Sequence, residues 1–163
     1  MRKLLFLFAT LLCVLSNPCI AKDFNTDELL NWIKIDPGNS TPAHVQSMLG
    51  KPGKIEQSKK RTRWYYNHGE NNVVISWSKK SDELLQFFFK CAPGEKPVFD
   101  NRLSAMLKEG STDILQAIKL LGTPNDMTIK SVTQVVHYAY KNSVLRLFFR
   151  DRVLVDYTLL SQS

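Results

Sequence analysis

The sequence predicts an α+β chain: two tandem helix-helix-β-β-β repeats whose strands form one antiparallel sheet with the helices packed on one face. Two observations carry this expectation. The hydrophobic period switches from helical to alternating twice along the chain. Each switch falls at a matching stop, Leu49-Gly50-Lys51-Pro52 and then Leu121-Gly122-Thr123-Pro124, offset by 72 residues. A third feature, the N-terminal segment, speaks to compartment instead of fold.

Arg2 and Lys3 precede an apolar run, Leu4–Leu15, which Asn17-Pro18 interrupts before Cys19-Ile20-Ala21. That order of charge, apolar stretch and small residues is the layout of a secretory signal peptide cleaved after Ala21. The run is shorter than the roughly 20 apolar residues that span a bilayer, although an uncleaved anchor is the alternative. Leu12 and Pro18 stand where a lipid-attachment cysteine needs a small residue before it. The expected products are a leader, residues 1–21, and a mature chain that is periplasmic or secreted, with no transmembrane segment.

In the first repeat, residues 22–91, Asp27–Ile35 carries Leu29, Leu30, Trp32 and Ile33 at helical spacing. Thr41-Pro42 then reads as an N-cap followed by proline at the first helical position, and Gly50 as the stop. Strands are expected at Arg63–Asn67, Asn72–Ser78 and Leu84–Lys90, divided by polar turns. Residues 92–100 read as a linker. The second repeat, residues 101–163, repeats the order. Asn101–Glu109 is an amphipathic helix, Thr112-Asp113 opens another that closes at Gly122, and Gln134–Tyr140, Val144–Arg150 and Val153–Leu160 are strands.

The 163 residues include 22 Lys+Arg and 15 Asp+Glu, 44% hydrophobic and 10% aromatic, a balance that excludes disordered and collagen-like classes. Loss of the leader leaves 20 basic and 15 acidic residues, a charge of +5, and Cys91 as the last of three cysteines. A single cysteine forms no internal disulfide, so stability must rest on a packed core. Cys91 reads as a buried structural thiol, with pairing between chains as the alternative. Export disfavours nucleic acid as a partner.

The order helix, helix, Leu-Gly-x-Pro, aromatic strand, then a strand ending near Trp or Phe resembles the SmpA/OmlA (BamE-like) outer-membrane module. Two such modules in tandem resemble the β-lactamase inhibitor protein (BLIP-like) fold. The resemblance covers about Asp27 to Leu160. It implies a sheet whose open, concave face grips a protein partner.

Alternation separates the two faces of the strands. One set is almost wholly apolar and is expected to be the core: Trp64, Tyr66, Val73, Ile75, Trp77, Leu85, Phe87, Phe89, Val136, Tyr138, Leu145, Leu147, Phe149, Val153, Val155 and Tyr157. The other mixes aromatic, basic and polar groups. Within it Arg63, Tyr65, Phe88, His137, Arg146, Phe148 and Arg150 are the candidate protein-binding residues, because aromatics beside arginines are the composition of binding hot spots. Support of cross-strand pairs is the alternative reading of those aromatics.

Lys59, Lys60 and Arg61 form a basic run before a strand. It is either a solvated loop or a site for an anionic surface such as envelope lipid or peptidoglycan. His44, His68 and His137 lack metal-ligand spacing, and no phosphate loop or nucleophile elbow is present. No metal, cofactor or catalytic residue is therefore assigned. A nucleophile pair of Cys91 with a histidine is the remaining enzymatic alternative. The leading expectation is an exported, non-enzymatic protein-binding module, inhibitor-like or part of an envelope complex.

Overall fold

The structure is a computed structural model that describes residues 26–69, 71–91, 101–140 and 143–161. The expected leader, residues 1–21, and the expected linker, residues 92–100, lie outside the described residues. Three α-helices, α1 (Thr26–Trp32), α2 (Pro42–Leu49) and α3 (Ile114–Leu121), and a 3-10 helix (Asn101–Met106) accompany eight strands. The strands are β1 (Lys54–Gln57), β2 (Arg61–His68), β3 (Asn71–Ser78), β4 (Leu84–Lys90), β5 (Asp126–Ile129), β6 (Thr133–Tyr140), β7 (Ser143–Arg150) and β8 (Val153–Ser161).

All eight form one antiparallel sheet in sequence order. β4 pairs with β5, so the chain leaves the sheet after β4, builds the 3-10 helix and α3, and returns beside the strand it left. Each half holds four strands, not three. The sequence reading missed β1 and β5, four residues each, whose alternation is too short to register as a period.

The expected caps form. The Thr41 hydroxyl accepts from the His44 N–H at 3.2 Å, with Pro42 opening α2. Asp113 accepts from the Gln116 N–H at 2.8 Å, while the Gln116 side chain accepts from the Asp113 N–H at 3.0 Å, a reciprocal capping box. Gly50 (φ 77°) and Gly122 (φ 83°) end α2 and α3 in the left-handed region that glycine enters without Cβ strain. Each donates its N–H back into its helix, to Gln46 O at 2.9 Å and Ile118 O at 2.8 Å.

Other bonds recur at the same offset of 72. The Asp36 N–H donates to the Ser40 hydroxyl at 2.9 Å, and the Lys108 N–H to the Thr112 hydroxyl at 2.8 Å. Gly53 N–H to Tyr65 O and Asn125 N–H to His137 O are both 2.9 Å. Irregularities recur as well: the register shifts at Ser76/Trp77 and again at Phe148/Phe149.

Those two bulges move the core. Beyond each, an extra residue reverses the phase. Leu84 (1% exposed) therefore takes the inward place expected for Leu85, and Leu154 (0%) the place expected for Val153 and Val155, of which Val155 is 45% exposed. Tyr157 keeps the inner face but is 37% exposed, and Trp64 is partly buried. The other inward residues lie in one core cluster with α1, α2 and α3, including Phe87, Phe89, Tyr138, Leu147 and Ile118. Each such side chain contributes roughly 1.5–3 kcal/mol on burial. Asn101–Glu109 becomes a six-residue 3-10 helix because Leu107 is buried while Met106 stays 61% exposed, too narrow a stripe to support a longer helix.

Arg152 joins the two halves: its guanidinium donates to Ile33 O, after α1, at 3.1 Å. The hydroxyls of Thr26 and Thr123 meet at 2.8 Å.

Candidate functional site

The helices fill one side of the sheet, and the other side carries the candidate residues. Register alone orders them. One row of directly opposed residues crosses all eight strands: Lys54, Tyr65, Val74, Phe88, Thr128, Val135, Phe148, Asp156. Tyr65 on β2 and Phe148 on β7 are five strand spacings apart, about 24 Å. The row's interior, from Tyr65 to Phe148, is half-buried by its neighbours, and among the described residues no helix caps it.

Two flanks run beside it. On one, His137 opposes Arg146, and the row continues through Lys90 and Asp126. On the other, Arg63 lies between Glu56 and Ser76, and Arg150 opposes Thr133. Exposed arginines thus border an aromatic centre on both sides, and all seven candidate residues share one face. Arg63 and Arg150 lie on the flank opposite His137 and Arg146.

Local contacts fix the anchors. The Tyr65 hydroxyl donates to Glu56 at 2.5 Å, Glu56 bridges Lys54 at 2.7 Å, and the Lys54 ammonium stands 5.5 Å from the centre of the Tyr65 ring. The hydrogen bond from Lys54, then that from the Tyr65 hydroxyl, and less strongly the Lys54 charge, hold the Glu56 carboxyl below its ordinary range; Glu56 in turn raises Lys54. In the other half His137 Nδ1 lies 2.9 Å from Asp126. These tethers reduce the side-chain freedom that any contact at this face would cost. Glu56, Lys54 and Asp126 escaped sequence reasoning because they belong to the two missed strands.

Two adjoining depressions mark the β1–β4 end of this face. One, of about 270 Å³, is lined by Arg61, Arg63, Tyr65, Val74, Ser76, Gln86 and Phe88. The other, of about 310 Å³, is lined by Glu56, Gln57, Ser58, Arg61 and Arg63. Arg61, expected to belong to a basic loop, therefore also faces the candidate site.

Lys59 and Lys60 form the β1–β2 turn and are exposed. The Lys79 N–H donates to Lys60 O at 3.1 Å, which sets the Lys79-Lys80 hairpin beside them. Cys91 is 7% exposed inside the core cluster, and its N–H donates to Asn125 O at 2.8 Å. Such burial shields a thiol from substrate. His68 is the last residue of β2, beyond the expected strand end at Asn67, with its ring 4.4 Å from Trp32. Among the described residues no His, Cys, Asp or Glu cluster fits a metal ion, and no helix is long and apolar enough to cross a membrane.

The sequence matches no protein-family pattern and no curated protein. Among solved structures, the chain is similar to a candidate beta-lactamase inhibitor protein from Streptococcus mutans. The TM-score is 0.56 and the identity 14%, over 85% of this chain and 98% of that one. A DUF4309 family protein, YjgB, from Bacillus subtilis matches over 85% and 98% with 15% identity and a TM-score of 0.30. The first likeness shows a shared α+β fold.

Proposed function

We propose that this chain is an exported, non-enzymatic module that grips a protein partner with its open sheet face. The observation that carries the reading is the uncapped row through Tyr65, Val74, Phe88, Val135 and Phe148, bordered by Arg63, Arg146 and Arg150. Apolar centres ringed by charge are how binding surfaces combine desolvated anchors with electrostatic guidance. The recurring bonds and bulges support a duplication, each half a helix-helix-four-strand unit of the SmpA/OmlA kind. Residues 1–21 serve as the leader in this reading.

Secreted enzymes are the partners of choice, and beta-lactamases the first to test, because the fold is shared with the Streptococcus mutans protein. Tyr65→Ala with Phe148→Ala is expected to leave the circular dichroism spectrum unchanged and abolish inhibition or capture of the enzyme that the wild-type chain binds. Equal binding by the double variant would overturn the open-face reading.

A second reading rests on the basic end, where Lys59, Lys60 and Arg61 meet Lys79 and Lys80. There the chain would touch an anionic envelope surface, and charge reversal of Lys59, Lys60 and Arg61 should release it from envelope fractions. Retention equal to wild type would remove this reading.

A further inference from the structure

The two edges of the sheet are built differently. β1 is four residues long and carries the Lys54–Glu56 ion pair. Short charged edges discourage further strand pairing. β8 runs nine residues with Asp156 as its sole charged side chain. Among the described residues seven large hydrophobics are exposed, and four of them lie on β8: Val155 (45%), Tyr157 (37%), Leu159 (44%) and Leu160 (52%). The start of the strand is already covered: the Leu154 N–H donates to Thr112 O at 2.8 Å, Leu154 O accepts from the Gly110 N–H at 2.8 Å, and Val153 bridges Asp113. Beyond that cover, an apolar strand that presents its outer N–H and C=O groups is a template for another strand.

We propose that β8 is a self-pairing edge: two copies of this chain associate about a two-fold axis, their β8 strands antiparallel, and join their sheets. Residues directly opposed in an antiparallel pair share a face, so the axis must pass through a residue and not between two. The regular stretch beyond the bulge, Asp156–Leu160, is centred on Thr158. With Thr158 on the axis, Tyr157 opposes the copy's Leu159 twice, an aromatic–aliphatic pairing that stabilises sheets. Asp156 opposes the copy's Leu160. Centring on Asp156 would instead set two carboxylates face to face, which disfavours that register.

The occupant is a second copy because one strand supplies both members of each favourable pair and no like-charge contact. Two such edges cover on the order of 1,000 Å² in all, the lower end for specific association, so the dimer should depend on concentration. The open faces of the copies then lie on one side of a continuous sheet, since Arg146 opposes Thr158 and Thr158 meets the axis. This inference stands apart from the identity of any other partner.

The test is the light-scattering mass of the purified chain across a dilution series reaching about 1 mM. The mass should rise toward twice that of the chain. Leu159→Lys should hold it at the monomer mass with an unchanged melting curve, while Ile55→Lys on the opposite edge should still dimerise. Thr158→Cys should form an intermolecular disulfide under mild oxidation, and Ile55→Cys should not; this pair decides the matter if Leu159→Lys fails to fold. A monomer at every concentration, a dimer indifferent to Leu159→Lys, or equal cross-linking at Ile55 would overturn the proposal.

Discussion

Tyr66 and Tyr138, Val73 and Leu145, Ile75 and Leu147, and Trp77 and Phe149 stand 72 residues apart on the inner face of the two halves of the sheet. Every one is 3% exposed or less. On the outer face the same offset pairs Arg63 with Val135, Tyr65 with His137, Val74 with Arg146 and Ser76 with Phe148. Each half still offers arginine and aromatic side chains, but the first presents Arg63 and Tyr65 from β2 with Phe88 from β4, and the second presents Arg146, Phe148 and Arg150 all from β7. Lys54 in the first half becomes Asp126 in the second, reversing the charge beside the tethered ring. The inner faces meet similar helices and must fill similar volumes, a constraint that the outer faces do not share. Under the proposed binding role, a partner would meet two unlike surfaces on similar backbones, which suits one asymmetric target better than two identical ones.

The largest expected effects test the likeness of the inner faces. Ile75→Ala and Leu147→Ala should each destabilise by about 2–5 kcal/mol in urea unfolding, because both are fully buried and leave comparable cavities. If one were tolerated and the other not, the two half-cores would be packed on different terms.

A smaller effect should separate the halves. The Tyr138 hydroxyl donates to Gly122 O at 3.0 Å, whereas the buried Tyr66 hydroxyl has no hydrogen-bond partner among the described residues. Tyr138→Phe should therefore cost about 1–2 kcal/mol, and Tyr66→Phe should be neutral or stabilising by up to about 1 kcal/mol. Burial also pushes the Tyr66 phenol up to about 12. Its stabilising neutral form is fully kept below about pH 10 and lost as the pH rises through 12. Equal losses from the two Tyr→Phe substitutions would erase the distinction. The helix caps should differ on a finer scale: Asp113→Ala, which breaks a reciprocal pair, is expected to cost about 1–2 kcal/mol, and Thr41→Ala, which breaks one longer bond, about 0.5–1 kcal/mol. Thermal melting of both variants checks the order.

How much of this was legible beforehand depends on the range over which a signal acts. Caps, glycine stops and the offset of 72 are local and stood in the sequence. So did the candidate face from Arg63 to Phe148, since those strands keep strict alternation. Lys54–Gln57 and Asp126–Ile129 did not, because Lys-Ile-Glu-Gln has a single apolar residue and only pairing with β2 makes it a strand. The bulges were hidden because Leu84-Leu85 and Val153-Leu154-Val155 are apolar in both phases, so no polar residue marks the slip. The row that crosses eight strands exists only in the register, which depends on contacts remote in sequence.

The smallest expected effect is confined to the first half. His68 lies against Trp32, and burial holds its imidazole below the ordinary value, with Glu28 opposing that shift. The offset of 72 leads from His68 to Tyr140, so the second half has no imidazole at this place. In the unfolded chain His68 takes up a proton near pH 6.5, while the folded chain resists it until the pH is lower. Between those points the unfolded state binds more protons, so stability present above about pH 6.5 is lost as the pH falls through the folded value. His68→Phe, which preserves a ring against Trp32, should flatten this part of the profile in urea titrations between about pH 7 and pH 5. A profile as steep as wild type would assign the acid sensitivity to other groups and leave the two halves alike in their response to pH.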